Sequence, residues 1–421
     1  MKTARIITKI LFFILLIFDI AVFGLIFYLG GLVGEDFKIK KGDTLNINSP
    51  LPVTAVYNGT ELSSRHTENK DGNFEVNLKM FGIIPFSTAN VQIVDQMQVV
   101  ALGQPFGMKI YTKGVLVVDI TAVSTESQTK NPAKDGGIEV GDYILSVNSK
   151  KISTNEDLLY LVENSGGKTL KFEILRNKRQ LSLYLTPVLS KDTGKYKLGI
   201  WVRDSSAGIG TLTFYSPTTN IICGLGHGVC DEDTGEILNL ESGEIVSAEI
   251  YDVEAGEKGS AGQLKGRLTT EILGEIVLNC EGGVYSDATG NFNLSNLTEI
   301  ALKTEVKDGK AQILCTVDGK TPELYDCKIS LKKGNFSSKT QNLLVEVTDT
   351  RLLEATGGIV QGLSGSPILQ NGKLVGAVTH VLLDDPTKGY GIFAENMLEN
   401  AQSICNNVGT GVLDCPQKEA S

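Results

Sequence analysis

Residues 199–399 constrain the fold more than any other part of the chain. Apolar and polar residues alternate there in many short runs, spaced roughly 8 to 12 residues apart. Turn signals such as Asn371-Gly372 separate the runs, and only residues 395–405 have the pattern of a helix. This spacing predicts a mainly β domain of the sandwich or barrel type.

Length, charge and cysteine spacing restrict the possible functions. A chain of 421 residues has room for roughly two or three folded units. The formal net charge of -10 leaves no basic surplus for binding phosphates, so we expect no nucleic-acid partner. The seven cysteines are an odd number without CxxC spacing and predict no disulfide framework. Cys223 and Cys230 flank His227, but no second cysteine pair completes a zinc site, and we expect neither a metal nor a cofactor.

An apolar stretch near the N-terminus predicts a membrane anchor. Residues 10–33 are interrupted by one charge, Asp19, and as a helix could cross a hydrocarbon core about 30 Å thick. Lys2, Arg5 and Lys9 precede the stretch, which favours a cytoplasmic N-terminus and an extracytoplasmic location for the remainder. We therefore expect residues 1–35 to form a cytoplasmic tip and a single-pass transmembrane helix. A cleaved signal peptide is the alternative.

Two further regions precede the β domain. Residues 36–100 alternate in short stretches between turn signals and predict a small β-rich segment. Residues 101–189 resemble a PDZ domain, with a helix expected at residues 155–164. The residues that match the PDZ signature are Ala133, Gly137, Ile138, Gly141, Asp142, Ile144, Val147 and Asn148.

The PDZ resemblance implies a peptide-binding groove. In that family an extended peptide adds as a strand, and backbone amides of a glycine-containing loop hold its end. The resemblance assigns this loop to residues 103–108, and the residues expected to bind the peptide are Gly103, Phe106, Gly107 and Met108. The alternative is a β-rich spacer whose groove is inert.

The segment Gly362-Leu363-Ser364-Gly365-Ser366-Pro367 carries the clearest chemical signal. It leads into a predicted hairpin and resembles the G-x-S-G-x-P nucleophile loop of chymotrypsin-like peptidases. The resemblance makes Ser364 the nucleophile, with the backbone N–H groups of Gly362 and Ser364 as the oxyanion hole. Ser366 is the less favoured alternative, because its expected role is to satisfy backbone groups of the loop.

A serine nucleophile needs a general base, and the chain offers His66, His227 and His380. His227 lies in the glycine-bracketed turn Gly226-His227-Gly228, which suits a ring that must be reached from a cleft. We expect His380, on the strand after the nucleophile, to pack in the core or to line the substrate site. His66 falls in a polar loop. His227 is therefore the predicted base.

The third member of a triad is less constrained by the sequence. Asp349 gives the chain order His, Asp, Ser of the chymotrypsin group, but it lies close before Ser364 in the chain. Asp231 and Asp233 follow His227 closely and remain alternatives.

Several longer stretches together resemble the stage IV sporulation protein B family of serine peptidases. They include residues 207–215, 224–227, 348–350 and 357–368, and the order of anchor, PDZ domain and peptidase agrees with that family. The resemblance places the family's histidine, aspartate and serine on His227, Asp349 and Ser364. It implies a chymotrypsin-like double β-barrel at residues 195–405, followed by a tail at residues 406–421.

The same resemblance implies a biological role. Such an enzyme would be a membrane-anchored endopeptidase in the forespore intermembrane space that cleaves itself near the N-terminus, within residues 36–100. It would cleave a membrane regulator of an intramembrane metalloprotease and so lead to activation of the late mother-cell sigma factor. The PDZ ligand could be a peptide of the same protein. The alternative is a non-catalytic PDZ-bearing scaffold; a quality-control protease is disfavoured because its PDZ domain would follow the peptidase.

Overall fold

The computed structural model describes residues 2–33, 36–45, 47, 49, 51–64, 67, 72–290, 292–332 and 340–407. They form two compact units: the first comprises Met1–Met97 and Glu299–Val306, the second Gln98–Thr298 and Lys307–Ser421. The described helices are α1 (Lys2–Leu32), α2 (Pro132–Asp135), α3 (Asn155–Glu163), α4 (Thr350–Thr356) and α5 (Ala394–Asn407), with a 3-10 turn at Leu294–Asn296.

The first unit is built on one sheet. Its strands are β1 (Asp36–Lys40), β2 (Val53–Tyr57), β3 (Thr60–Glu61), β4 (Gly72–Met80) and β5 (Ile84–Val94). They follow the order β1-β5-β4-β2-β3, with β1 parallel to β5 and the other pairs antiparallel. Val76 and Leu78 are completely buried in the core, and the buried Lys40 pairs with Glu299 and Glu305. These ion pairs hold the segment from Glu299 onward in the first unit.

The apolar N-terminal stretch is helical and forms α1. Large apolar side chains along this helix are exposed, among them Phe12, Phe13 and Phe23. In the part of the chain that the structure describes, no helix is sufficiently long and apolar to cross a membrane. The transmembrane part of the sequence prediction is therefore not supported by the fold.

The second unit is mainly β, as the sequence predicted. Its strands up to residue 216 are β6 (Gln98–Ala101), β7 (Pro105–Ile120), β8 (Val123–Ser124), β9 (Thr129–Lys130), β10 (Tyr143–Val147), β11 (Lys150–Lys151), β12 (Leu170–Arg176), β13 (Arg179–Leu185), β14 (Val188–Leu189), β15 (Tyr196–Lys197) and β16 (Ile200–Ser216). The later strands are β17 (Ile221–Gly224), β18 (Leu240–Glu254), β19 (Gln263–Cys280), β20 (Gly283–Ala288), β21 (Leu297–Glu299), β22 (Gly309–Cys315), β23 (Glu323–Leu331), β24 (Leu343–Val347), β25 (Pro367–Gln370), β26 (Lys373–Val381) and β27 (Lys388–Phe393).

Two barrels make up most of the second unit. The sheet order β7-β18-β19-β20-β17-β16 closes on itself because β16 also pairs with β7, which gives the first barrel. The strands β22-β23-β24-β27-β26-β25 form the second closed barrel. Asn371 and Gly372, both at positive φ, connect β25 to β26 as the predicted tight hairpin turn. The predicted barrel is therefore confirmed, and the pattern of residues 395–405 corresponds to helix α5.

The region with the PDZ signature shares two long strands with the first barrel. The second half of β7 pairs with β10 and with the start of β16, while the first half of β7 belongs to the barrel. Helix α3 begins at a capping box, in which Thr154 accepts from the N–H of Asp157 and the Asp157 carboxylate accepts from the N–H of Thr154. Phe172 and Ile144 are completely buried in the local core.

In the structure, residues 103–108 do not form the predicted peptide-binding loop. Phe106 and Gly107 lie within β7, where they pair with β16 on one side and with β18 on the other, and Phe106 and Met108 are buried. A Cβ atom added to Gly107 would lie 2.1 Å from the side chain of Leu268, so this glycine permits close packing inside the barrel. Gly103 donates its N–H to Leu212 and likewise belongs to barrel packing. Neither edge of this part of β7 is open to a peptide.

Candidate active site

The segment around Ser364 is a tight loop that requires glycine at two positions. Gly362 and Gly365 have φ angles of 98° and 96°, which side chains rarely adopt. A Cβ atom on Gly365 would lie 1.9 Å from the carbonyl oxygen of Thr211, on strand β16 of the first barrel. The loop of the second barrel therefore lies directly against the first.

Two buried threonines of β16 hold this loop. Thr211 donates its N–H to the carbonyl of Ser364 and its hydroxyl to the carbonyl of Gly362, at 2.9 and 2.8 Å. Thr213 donates its hydroxyl to the carbonyl of Gly365 at 2.7 Å. The sequence analysis assigned these residues no role, although threonines two apart on a strand face the same side.

The backbone N–H groups of the loop fall into two classes. Those of Leu363, Gly365 and Ser366 donate to carbonyls of Val360, Val378 and Leu363, respectively. Within the described ranges, the N–H groups of Gly362 and Ser364 donate to no protein acceptor. The two groups that the sequence assigned to an oxyanion hole are thus available to a ligand.

The two serine hydroxyls of the loop differ in their surroundings. Ser366 is completely buried and donates to the carbonyl of Leu363 at 2.6 Å, which is the backbone role expected of it. Ser364 is only partly buried and donates to the carbonyl of Thr379, also at 2.6 Å. Its hydroxyl is therefore held toward strand β26 in this structure.

His227 lies in the seam between the barrels. It follows Leu225 and Gly226, both at positive φ, and a Cβ atom on Gly226 would contact Thr379 of β26 at 3.0 Å. Its Nδ1 atom lies 2.9 Å from the carbonyl oxygen of Gly228. Because a carbonyl only accepts, this hydrogen bond requires the proton on Nδ1 and leaves Nε2 with a free lone pair. Burial lowers the pKa of His227, although the Gly228 carbonyl partly opposes the shift.

His380 is the immediate neighbour of His227. The centroids of the two imidazole rings are 4.9 Å apart and their planes are inclined by 38°. His380 follows Thr379, whose carbonyl accepts the hydroxyl of Ser364. His380 is exposed, yet the burial of part of its side chain, and secondarily the His227 ring, lowers the pKa of His380 to about 4. His380 was considered only as a core or substrate-lining residue, so its contact with His227 was not predicted.

Asp349 has other partners in the structure. Its carboxylate caps helix α4 by accepting from the N–H of Arg351, pairs with the Arg351 guanidinium at 2.9 Å and accepts from the N–H of Asp326. The arginine is the main reason that the pKa of Asp349 is lowered to about 2. Among the described residues, no hydrogen bond joins Asp349 to His227.

The competing carboxylates are also engaged elsewhere. Asp231 and Asp233 both bind Arg203, and Asp231 also accepts from the N–H and hydroxyl of Thr234. In the described ranges, neither carboxylate is hydrogen-bonded to His227, and no cluster of three or more His, Cys, Asp or Glu side chains could hold a metal ion. His66 lies outside the described residues.

Comparison with known proteins identifies the peptidase region. Residues 194–398 match the family described as SpoIVB peptidase S55. These residues belong to the SpoIVB peptidase family. They accordingly form a serine peptidase domain, and residues 97–186 match the PDZ domain family.

Individual relatives share only parts of this chain. A protein of Mesorhizobium japonicum named "Putative zinc metalloprotease mll0638" is 27% identical over 134 residues, which cover 30% of this chain and 33% of the relative. The peptidase thus matches about a third of that relative's length. The PDZ domain of the SdrC-like protein Lmo2051 from Listeria monocytogenes is 19% identical and covers 21% of this chain and 87% of its own, with a TM-score of 0.17. The inactive form of Rv3671c from M. tuberculosis H37Rv is 10% identical and covers 49% and 84%, with a TM-score of 0.26.

The PDZ domain of this chain has an open strand edge that the sequence analysis missed. Ile200–Arg203 at the start of β16 pair with β7 along one edge, and within the described residues no strand pairs with the other edge. Helix α3 lies beside this segment, where the N–H of Asn155 donates to the carboxylate of Asp204. Gly199, at a φ of 75°, precedes the strand, and Trp201 on it is 62% exposed. The signal that could have found it is the sequence Leu198-Gly199-Ile200, a glycine directly before a short apolar strand.

Proposed function

We propose that Ser364 is the nucleophile of this serine peptidase, that His227 is its general base, and that the N–H groups of Gly362 and Ser364 form the oxyanion hole. The observation that carries the proposal is that, within the described residues, the N–H groups of Gly362 and Ser364 donate to no acceptor, whereas those of Leu363, Gly365 and Ser366 are hydrogen-bonded. Preorganised donors of this kind stabilise the negative oxygen of a tetrahedral intermediate.

The geometry around His227 supports its assignment as the base. Gly228 keeps the proton on Nδ1, so that Nε2 can accept the proton of the serine hydroxyl. Because burial lowers the pKa of His227, the imidazole is neutral and able to act as a base near pH 7. In the described state the Ser364 hydroxyl donates to Thr379, and rotation about its χ1 would redirect it toward the cleft.

The proposed reaction follows from these positions. Ser364 Oγ attacks the peptide carbonyl while His227 takes its proton, and the carbonyl oxygen becomes an oxyanion held by the two N–H groups. His227 then returns the proton to the leaving amine, and the peptide C–N bond breaks. A water molecule, deprotonated by His227, hydrolyses the acyl-enzyme.

Labelling of the full-length chain with a fluorophosphonate probe tests the assignment. The wild-type chain and Ser366→Ala should be labelled, whereas Ser364→Ala should not be, and His227→Ala should react at least about 100-fold more slowly. Mass spectrometry would locate the label. If Ser364→Ala were labelled as fast as the wild type, the nucleophile would be another residue, and a non-catalytic role for this loop, as in a PDZ-bearing scaffold, would be favoured.

The substrates are proposed from the family match. The enzyme would cleave itself within residues 36–100 and would cleave a membrane-bound regulator of an intramembrane metalloprotease, leading to the late mother-cell sigma factor during sporulation. The match to SpoIVB peptidases supports this pathway. Co-expression with a candidate regulator, followed by mass spectrometry of both proteins, should give fragments with the wild type and none with Ser364→Ala.

We place this activity at a membrane, outside the cytoplasm and in the forespore intermembrane space. The exposed apolar side chains of α1 support attachment of the N-terminus to a membrane. Fractionation of cells that express the full chain should recover it with membranes. Recovery in the soluble fraction, with α1 intact, would contradict the localisation.

The proposed ligand of the PDZ domain is an extended peptide that pairs with the open edge of Ile200–Arg203, next to α3. The free edge and the exposed Trp201 support this position. The peptide could come from the substrate or from the enzyme's own residues 36–100.

A further inference from the structure

We propose that the tip of the β4–β5 hairpin, Phe81-Gly82-Ile83, inserts into the surface of a phospholipid bilayer and so orients the first unit on the membrane. The inference rests on the membrane location given under the proposed function. It deepens that location, because it names a second point of contact with lipid besides helix α1.

The hairpin tip is a tight turn that holds a phenylalanine in an unfavourable backbone conformation. Phe81 and Gly82 have φ angles of 52° and 73°, and the N–H of Ile83 donates to the carbonyl of Met80 at 3.1 Å. Turns with two positive φ angles in succession favour asparagine or aspartate before glycine, because a bulky side chain is strained there. Phe81 therefore occupies a position that suits a small polar residue.

Other turns of the same chain follow the usual rule. Asn58-Gly59 and Asn371-Gly372 have similar pairs of positive φ angles and place asparagine first. In the described ranges, the other large apolar residue at positive φ is Leu225, which is 3% exposed and packs in a core. The strain at Leu225 is thus offset by burial within the protein. The strain at Phe81 has no such compensation, and residues kept in strained conformations are often functional.

The turn presents its apolar side chains to the outside. Ile83 is 78% exposed, the largest fraction among the large apolar side chains that the structure describes, and Phe81 is 52% exposed. Pro85, two residues further on, is exposed as well. Apart from those of α1, no other large apolar side chain is exposed among the described residues of the first unit. Exposed apolar groups that cluster at one point mark a site of interaction.

The charges around the tip suit the surface of an anionic bilayer. Residues 77–89, which form the tip and the adjoining parts of both strands, contain one charged residue, Lys79, and no carboxylate. Glu75 and Asp95 lie farther from the tip, toward the other ends of β4 and β5. A lysine beside an apolar tip favours anionic lipid headgroups, and the missing carboxylates remove a source of repulsion.

Helix α1 places the tip within reach of the same lipid surface. Val33, directly after α1, is buried in one cluster with Ala89 and Val91 of β5, so the end of the helix is fixed on this strand. Ala89 lies five residues from the start of β5, or about 17 Å along the strand. The helix has 31 residues and is about 46 Å long, with exposed apolar side chains along it. A bilayer that takes up those side chains can therefore also receive the tip.

Quenching by brominated lipid tests the insertion in the full-length chain. Ile83→Trp is made in a Trp201→Phe background, so that the introduced tryptophan is the single one, and the chain is reconstituted into vesicles of phosphatidylcholine and phosphatidylglycerol. Part of the phosphatidylcholine carries bromine near the headgroup end of its acyl chains, because interfacial elements lie about 5 to 10 Å deep. We expect the fluorescence of this variant to shift to shorter wavelength and to be quenched.

Two further variants serve as controls. Asn73→Trp places the probe at an exposed position near the other end of β4, about 23 Å from Met80, and should be neither shifted nor quenched. Phe81→Asn, added to Ile83→Trp, supplies the residue that this turn favours. It should not lower the Tm, yet it should reduce the quenching, because the tip loses an apolar side chain.

The outcomes separate this inference from the proposed location. If the chain floated with the vesicles but the tryptophan of Ile83→Trp stayed unquenched, the inference would be wrong and the membrane location would stand. A shift to shorter wavelength without quenching, together with cross-links between tips, would assign the tip to a second copy of the chain and overturn lipid insertion. If the chain did not float with the vesicles at all, the proposed location would fail, and insertion of the tip with it.

Discussion

The hydroxyl of Thr211 donates to the carbonyl of Gly362 at 2.8 Å and thereby joins the first barrel to the nucleophile loop of the second. Thr211 is 1% exposed and Gly362 is also buried, so water does not replace the threonine hydroxyl as the donor to the Gly362 carbonyl. The position of Ser364 thus depends on a strand more than a hundred residues away in the chain.

Replacing Thr211 by valine should therefore reduce both stability and activity. The variant keeps the side-chain shape but leaves a buried carbonyl unpaired, which costs about 1 to 3 kcal/mol. Urea unfolding and fluorophosphonate labelling would measure the two effects. The same substitution at the exposed Thr270 of β19 is the matched control and should change neither.

Gly365→Ala should abolish labelling of Ser364. Its Cβ atom would lie 1.9 Å from the Thr211 carbonyl oxygen, at a φ of 96°, so the loop must move away from the first barrel. Gly372→Ala separates backbone strain from this collision, because Gly372 has a φ of 77° with open space around it. The Gly372→Ala control should lower the free energy of unfolding by only about 1 kcal/mol and should keep its activity. Equal labelling of both variants would show that the loop tolerates displacement.

The pH dependence of stability should contain a contribution from Asp349. The folded-state pKa of this carboxyl, about 2, is below its usual value, so its stabilising effect is present above about pH 4 and is lost as the pH falls toward 2. Asp349→Asn removes the titration while keeping a good N-cap residue. The difference in Tm between wild type and variant should shrink across this window; a constant difference would contradict the assignment.

Peptide hydrolysis should persist at mildly acidic pH. The base must be neutral to act, and burial lowers the pKa of His227, so the acidic limb of kcat/KM should lie below the ordinary histidine pKa of about 6.5. A profile measured with a fluorogenic peptide would check this. An acidic limb above pH 7 would require an anionic partner for His227.

Trp201 should report peptide binding to the PDZ domain. It is the one tryptophan of the chain and lies exposed on the open edge of β16, so a peptide that adds there should change its fluorescence. Gly199→Val should remove the response, because its Cβ atom would lie 2.0 Å from the Thr121 carbonyl oxygen. Labelling of Ser364 would verify that this variant is still folded.

The sequence predicted the elements that depend on neighbouring residues. The loop around Ser364, the turn at Asn371-Gly372 and helix α3 are each specified by residue types at fixed spacing within about ten positions. The alternating pattern likewise determined the mainly β architecture, because period-two burial is a property of each strand by itself.

Only the tertiary structure decided which strand edges are used and which side chains meet. Residues 103–108 have the composition of a PDZ loop, yet pairing with β16 and β18 buries them, while Ile200–Arg203 retain the open edge. The order of residues in the chain favoured Asp349 as the third member of a triad. In the structure Asp349 pairs with Arg351 and caps helix α4, and the ring that lies beside His227 is that of His380. The physical reason is that strand pairing and side-chain contacts join residues far apart in the chain, and local spacing carries no information about such partners.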